Sequence, residues 1–381
     1  MQNFVYHNPT AIVFGKGTIA TLAERVPKDV PVLLLYGGGS IRRHGVYDQV
    51  KAALAGHSRV VEFGGVEVNP LHETCMKALE KVREHGVGFI LAVGGGSVLD
   101  ASKYIAAAAC LEGIEPWAIL TSGGAVVQRA LPIGTVLTLP ATGSESNGNS
   151  VISRRETQEK LAFASPLVFP VFSILDPETT FSLPAKQVRN GLVDTFAHVM
   201  EQYLTYPAAA PVQDRFSEGL VQTLIEVGPR TLSDLRDYDA RAGFMWAATL
   251  ALNTLIGCGV PQDWSTHMIG HELTAFYGLD HAESLAVVMP GVWRHQIERK
   301  RAKLAQFGQR VWGVDSAEAA IEATEAFWQS LGMPTRLRDY GVDADEAARR
   351  IETRFRQRGT VLGEHGNLDP AAVAAILRLR A

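Results

Sequence analysis

Hydrophobic and polar positions follow two different rhythms along this chain. Up to about residue 176, short apolar runs alternate with helix-period segments. VPVLLLYGGGS (residues 30–40) and GVGFILAVGGGS (86–97) are continuous apolar runs that end in glycines. TVLTLP (135–140) and VFPVFSILD (168–176) are two more, and NFVYHNPTAIVFG carries a strand signal near the start. Between the runs, the segment from His72 to His85 sets Met76, Leu79 and Val82 at helical spacing. VLDASKYIAAAACLE reads as an Ala-rich helix. Unbroken apolar runs are strands buried on both faces, and their alternation with helices predicts a parallel sheet covered on both sides.

From Leu183 the rhythm is helical throughout. Ser182 as N-cap and Pro184 in the first turn open a helix over SLPAKQVRNGLVDTFAHVMEQYLT. Periodic segments follow around 213–233, 238–257, 262–276, 284–308, 316–331 and 343–356. The expected architecture is an α/β domain over residues 1–182, followed by an all-helical domain over 183–381.

Composition narrows the class. At 381 residues, 46% hydrophobic and 20% charged, with a formal net charge of −4, the chain reads as a soluble globular protein of two domains. A charge this near neutrality argues against a nucleic-acid partner. Cys75, Cys110 and Cys258 are isolated and odd in number, as expected in a reducing cytoplasm. The N-terminal segment lacks the pattern of a signal peptide. Runs such as GFILAV fall far short of a membrane span, so no membrane partner is expected.

The two glycine loops are the first candidate chemistry. Gly37-Gly38-Gly39-Ser40 and Gly94-Gly95-Gly96-Ser97 each follow an apolar strand. Glycines there let backbone N–H groups approach a phosphate, and a following helix N-terminus adds a favourable dipole. Arg42 and Leu99 stand where a third glycine of G-x-G-x-x-G would be, and no P-loop lysine follows. A repeated loop of this kind at strand carboxyl ends points to a dinucleotide. The first loop carries no acid to repel a 2′-phosphate, and Arg42 and Arg43 lie just beyond, so NADP(H) is the expected cofactor. A third stretch, LTLPATGSESNGNS, supplies hydroxyl donors at Thr138, Thr142, Ser144 and Ser146.

The second candidate is a metal site. Asp194 and His198 stand four residues apart on an apolar helix, where a buried carboxylate needs a partner. In HMIGHELTAFYGLDH (267–281), His267 and His271 share the same spacing and His281 follows a short turn. The zinc-protease pattern H-E-x-x-H fails here, because Met268 follows His267 and Ala275 stands four after His271. Spacing alone leaves five candidates for at most four ligands of a divalent Fe, Zn, Mn or Co ion. The remaining histidines (His7, His44, His57, His72, His85, His295 and His365) read as surface positions. Trp264, Phe196, Phe276 and Leu273 suggest an apolar pocket around the metal motifs.

GGGSVLDASK (94–103), LPATGSES (139–146), LDPETTFSLP (175–184), NGLVDTFAHVMEQY (190–203) and the 267–281 stretch together resemble the iron-containing (group III) alcohol dehydrogenase family. Within it, the sequence is similar to the NADPH-dependent aldehyde reductase and butanol dehydrogenase branch. The resemblance implies a dinucleotide-binding domain, a helical metal-binding domain and a cleft between them. It implies metal ligation, by Fe2+ or Zn2+, at Asp194, His198, His267 and His281. His271 becomes a catalytic residue near nicotinamide and substrate. The Gly94–Ser97 loop takes the phosphates, while Gly38, Ser40, Asp100, Thr138, Leu139, Thr142, Ser144 and Lys160 line the cofactor. Gly37 stands about where NAD-preferring relatives have an Asp. LPATGSES replaces the TTAGTGSE-type segment of many members. The implied activity is hydride transfer between NADP(H) and a primary alcohol or aldehyde, in a cytoplasmic homodimer. The competing readings are a glycerol dehydrogenase-like or dehydroquinate synthase-like enzyme, a metal-dependent hydrolase with structural glycine loops, and a non-catalytic binding protein.

Overall fold

The structure is a computed structural model that describes residues 1–57 and 59–381. The chain forms two compact units. The first contains His7–Pro184 and Leu235–Asn253, and the second Met1–Tyr6, Ala185–Asp234 and Thr254–Ala381.

The first unit is built on six parallel strands: β1 (Ala11–Phe14), β2 (Val32–Gly37), β3 (Val60–Val66), β4 (Phe89–Gly95), β5 (Ile133–Leu139) and β8 (Phe172–Leu175). Their order across the sheet is β1-β8-β5-β4-β2-β3. A separate antiparallel pair, β6 (Asn149–Arg154) and β7 (Glu159–Ala164), completes the strands. Strand alternation divides the apolar runs between two cores. Leu33, Leu35, Ile90 and Ala92 face helices α1 (His72–Glu84) and α2 (Gly96–Ala108). Val32, Leu34, Leu91 and Val93 face the opposite layer, with Ile19, Leu22, Val46 and Val50. An unbroken apolar run therefore serves both faces at once, which is why its alternation is invisible in the sequence.

Three features of the stretch before Pro184 depart from the sequence reading. β3 (VVEFGGV) carries a Glu and two glycines and is only half-buried, as an edge strand permits, so it lacks a strand's apolar signature. The β6–β7 hairpin is likewise masked by its polar residues. His72 is not a surface residue: it opens α1, is 9% exposed, bonds Tyr104 Oη through Nδ1 at 2.8 Å and sets its ring edge-on to Trp117.

Helix Tyr238–Ala251 belongs with the sheet unit. Its Thr249 hydroxyl donates to Glu145 Oε1 at 2.6 Å, Met245 joins the sheet core and Trp246 meets Phe14 edge-on.

The second unit is helical. Helix α3 (Ala185–Tyr203) is buried along most of its length and packs against helix Pro211–Ser233. Helices α4 (Ser265–Tyr277) and α5 (His281–His295) pack on one another and on α3. The segment read as one helix over 284–308 is two, because α5 ends at His295 and α6 (Ile297–Phe307) begins after Gln296. Helices Ala317–Ser330, Ala344–Arg358 and Pro370–Arg378 finish the unit; the last was too short to register as a periodic segment. No helix among the described residues is long and apolar enough to cross a membrane.

Candidate metal centre and glycine loops

In the sheet unit, β2 pairs with β3 on one side and β4 on the other, so the direction of strand addition reverses between β2 and β4. Crevices at the carboxyl ends of such a switch point are the usual ligand sites of open parallel sheets. Both GGGS loops lie there. Gly37 ends β2 and Ser40 begins a four-residue helix, while Gly95 ends β4 and Gly96 begins the thirteen-residue α2. The α2 N-terminus has no side-chain cap, leaving its first-turn N–H groups and dipole for an anion. A Cβ on Gly94 would stand 2.5 Å from Val98 Cγ2, on Gly95 2.9 Å from Leu139 Cβ, and on Gly96 2.6 Å from the Thr142 side chain.

The third polar stretch is welded to α2. Asp100 accepts Ser144 Oγ at 2.6 Å through Oδ1 and the Val151 amide at 2.9 Å through Oδ2. Lys103, fully buried, donates to Asn147 Oδ1 at 2.9 Å and to the Asn149 carbonyl at 2.8 Å. Burial pulls the Lys103 ammonium down to about 8, against the pull of Asp100 and Glu145. Thr138 and Leu139 end β5, Thr142 Oγ1 accepts the Ser144 amide at 3.3 Å, and Lys160 reaches Asn69 Oδ1 at 2.9 Å.

Glu62 on β3 was not anticipated. Its carboxylate stands 3.2 Å from Arg42, 2.8 Å from Lys51 and 2.8 Å from Tyr47 Oη, so the basic Arg42 beyond the first loop is already paired with an acid, itself compensated by two cations. Burial works to raise its carboxyl, but Lys51, Tyr47 and Arg42 together hold it below the usual range.

In the helical unit the remaining candidates converge. Gly278 (φ +73°) ends α4 in the left-handed region. Asp280 and Glu283 then form a capping box that starts α5 with His281 as its first residue. This short turn brings His281 back to α3 and α4. Asp194 Oδ1 is the hub: His198 Nε2 lies 3.5 Å away, His267 Nε2 3.7 Å and His281 Nε2 3.6 Å. Asp194, His267 and His281 each present a donor atom within 4.8 Å of the others, and the His198 ring stacks on His267 at 4.7 Å. His271 is buried one turn further along α4, its ring 5.5 Å from that of His281 and 6.4 Å from that of His267.

The model of the iron-containing alcohol dehydrogenases matches residues 9–177, and that of the C-terminal part of the Fe-containing family matches residues 189–379. The chain belongs to the iron-containing alcohol dehydrogenase family. It is 54% identical over 375 residues to the NADPH-dependent aldehyde reductase YqhD of Escherichia coli (strain K12), covering 97% of each chain. It is 44% identical over 389 residues to a probable NADH-dependent butanol dehydrogenase 1 of Bacillus subtilis (strain 168), covering 99% of each. The crystal structure of E. coli K-12 YqhD superposes with a TM-score of 0.98 at 52% identity, over 100% of this chain and 99% of that one. Relatives this close carry both cofactor names, so cofactor preference must be argued from this chain's own residues.

The family name implies a metal, and the donor set fits one. Around a tetrahedral ion with ligands at about 2.0–2.2 Å, neighbouring donor atoms stand roughly 3.4 Å apart, close to the three separations from Asp194 Oδ1. Among the described residues His267 Nε2 is buried and within hydrogen-bond distance of none, with Asp194 Oδ1 at 3.7 Å, as a ligand atom facing an ion would be. Asp194, His267 and His281 form the mutually close group, with His198 Nε2 joining at Asp194, and imidazoles with a carboxylate and no thiolate suit Fe2+ or Zn2+.

Two further points separate this family member from its sequence reading. Of the aromatic residues read as pocket lining, Trp264 has ring contacts with the histidines among the described residues, edge-on to His267 at 5.3 Å. Phe196 is buried against Trp328 and Phe307, Leu273 is fully buried, and Phe276 lies under the guanidinium groups of Arg350 and Arg354. The sequence reading also missed Glu201. It is buried on α3, accepts the Thr266 amide at 2.7 Å and pairs with His267 Nδ1. Burial alone would lower the His267 imidazole, yet Glu201 and Asp194 outweigh it and raise it to about 9 in the metal-free protein. Its only sequence signal was an acid on a helix face otherwise rich in apolar residues.

Proposed function

We propose that this chain is an NADP(H)-dependent, metal-assisted oxidoreductase that moves a hydride between nicotinamide and an aldehyde carbonyl, working as a broad-range aldehyde reductase. The observation that carries the reading is the Asp194 hub with three imidazole nitrogens at 3.5–3.7 Å. Asp194, His198, His267 and His281 would hold one divalent ion, Fe2+ or Zn2+, which when bound supplies Lewis-acid polarisation of a carbonyl oxygen. His271 holds the proton that the alkoxide oxygen takes up as the hydride arrives, directly or through a water, since imidazole titrates near neutral pH. Trp264 sets its ring edge-on to His267 at the histidine cluster.

The sheet unit, His7–Pro184 with Leu235–Asn253, would bind the dinucleotide in place of the contiguous 1–182, and the helical unit, in place of 183–381, would carry the metal. The Gly94–Ser97 amides and the α2 N-terminus would hold the pyrophosphate. Gly37, Gly38, Gly39 and Ser40 would face the adenosine end, with Asp100, Thr138, Leu139, Thr142, Ser144 and Lys160 completing the lining. NADP(H) is favoured because Gly37 bears no acid, and Arg42 and Lys51 offset Glu62. Free Cys75, Cys110 and Cys258 support a cytoplasmic setting. Strand β1, at a sheet edge with Phe14 40% exposed, supports a homodimer.

A panel of short, branched and aromatic aldehydes, assayed at the NADPH absorbance band on metal-loaded protein, tests the reading. Oxidation of NADPH with higher efficiency than NADH is expected. No nicotinamide turnover on any aldehyde would sink it. His271→Ala is expected to keep its metal and turn over slowly; a metal-free His271→Ala protein would overturn the division between ligand and proton donor.

A further inference from the structure

We infer that Glu201 is a positioning residue that fixes which nitrogen of His267 faces the metal centre and ties the two ligand-bearing helices together. The inference rests on the metal-centre reading above. Glu201 lies seven residues after Asp194 and three after His198, so all three project from neighbouring turns of one face of α3. Its side chain reaches across to the first turn of α4. Oε1 accepts the Thr266 amide at 2.7 Å and the His267 amide at 3.3 Å, and Oε2 pairs with His267 Nδ1. The Glu201 carbonyl also accepts the Asp263 amide at 2.8 Å, and Asp263 in turn accepts the Ser265 amide at 3.1 Å.

This arrangement has one chemical consequence. A carboxylate can only accept, so it keeps a proton on His267 Nδ1 and leaves Nε2, on the Asp194 side, as the nitrogen that gives up its proton to an ion. The same carboxylate caps two otherwise open N–H groups of α4 and complements its dipole. Asp194 and His198 on α3 and His267 on α4 thus share one buried tie, which sets their separation before any ion arrives.

Glu201→Gln separates charge from shape. Its amide must place an N–H either against His267 Nδ1, which moves the ring proton to Nε2, or against the α4 amides, which breaks the helix-end bonds. The experiment strips the full-length enzyme of metal and titrates Zn2+ against a chromophoric chelator. His281→Ala serves as the ligand control, and circular dichroism of the metal-free proteins reports folding. Glu201→Gln is expected to bind Zn2+ about 10–100-fold more weakly than wild type, with Glu201→Asp, still a pure acceptor, falling between them. The Co2+-loaded Glu201→Gln protein is expected to show shifted visible bands. Wild-type Zn2+ affinity in Glu201→Gln, or affinity equal to that of Glu201→Asp, overturns the role of Glu201 while His281→Ala loses the ion. If His281→Ala also binds like wild type, the metal-centre reading itself fails, and the inference with it. Should Glu201→Gln not fold, Glu201→Asp decides alone: weaker Zn2+ binding supports the tie, and unchanged binding overturns it.

Discussion

The same four residues, Gly-Gly-Gly-Ser, end β2 and β4, yet the two loops live in opposite surroundings. Around Gly38 and Gly39 a Cβ would meet nothing within 4 Å, and the helix that follows is four residues long. Around Gly94, Gly95 and Gly96 every Cβ would collide with a side chain, and the helix that follows is α2. The first loop needs glycine for the backbone conformation of Gly39, at φ +93°; the second needs it for packing. A repeated tetrapeptide therefore does not mean a repeated role. The tight loop is braced by α2 and the 142–151 stretch, while the described residues leave the open one uncrowded at Gly38 and Gly39.

Substitutions can break that contrast. The largest effect is expected beneath the tight loop, where Lys103→Met removes two charge-assisted hydrogen bonds and should destabilise by about 3 kcal/mol in urea unfolding. The pH dependence sharpens it. The folded-state value of Lys103, about 8, lies below its unfolded value, so from there upward the unfolded chain binds more protons and wild type gains stability. The stability gap between wild type and Lys103→Met should thus widen as pH rises from about 8 to about 10; a gap that narrows would show that Lys103 is not buried as described.

Gly94→Ala comes next, because its Cβ would stand 2.8 Å from Val98 Cβ, an atom that cannot swing away. A loss of about 1–3 kcal/mol is expected from the denaturation midpoint. In the open loop, Gly39→Ala meets no neighbour but must hold φ near +93°, at a cost of about 1 kcal/mol. The smallest stability effect belongs to Gly38→Ala, expected within about 0.5 kcal/mol of wild type. Its methyl should instead raise the KM for NADPH; an unchanged KM would mean that the open loop does not touch the cofactor.

What could be read in advance follows from how each region is stabilised. β2, β4 and β5 are buried on both faces, so their apolar runs are unmistakable, and the glycines that end them stand out. Edge strand β3 and the β6–β7 hairpin are held by pairing with neighbours distant in sequence, which no local window reports. Asp194 with His198 and His267 with His271 were visible as helix-spaced pairs, and His281 as a ligand type after a short turn. That His281 Nε2 comes to 3.6 Å from Asp194 depends on the path of the chain through the Gly278–Asp280 turn, which spacing does not report. Glu201 and Glu62 stayed hidden for one shared reason: each acts through a partner many residues away, His267 for the first and Arg42 and Lys51 for the second.

The excursion of helix Tyr238–Ala251 into the sheet unit bears on how this protein can be engineered. The chain passes between its two units four times, at residues 6–7, 184–185, 234–235 and 253–254. A fragment ending at Pro184 would lack Met245, Trp246 and the Thr249 partner of buried Glu145. Swapping sheet units between relatives at a single junction would therefore deliver an incomplete module, and a working chimera must transplant residues 235–253 together with 7–184.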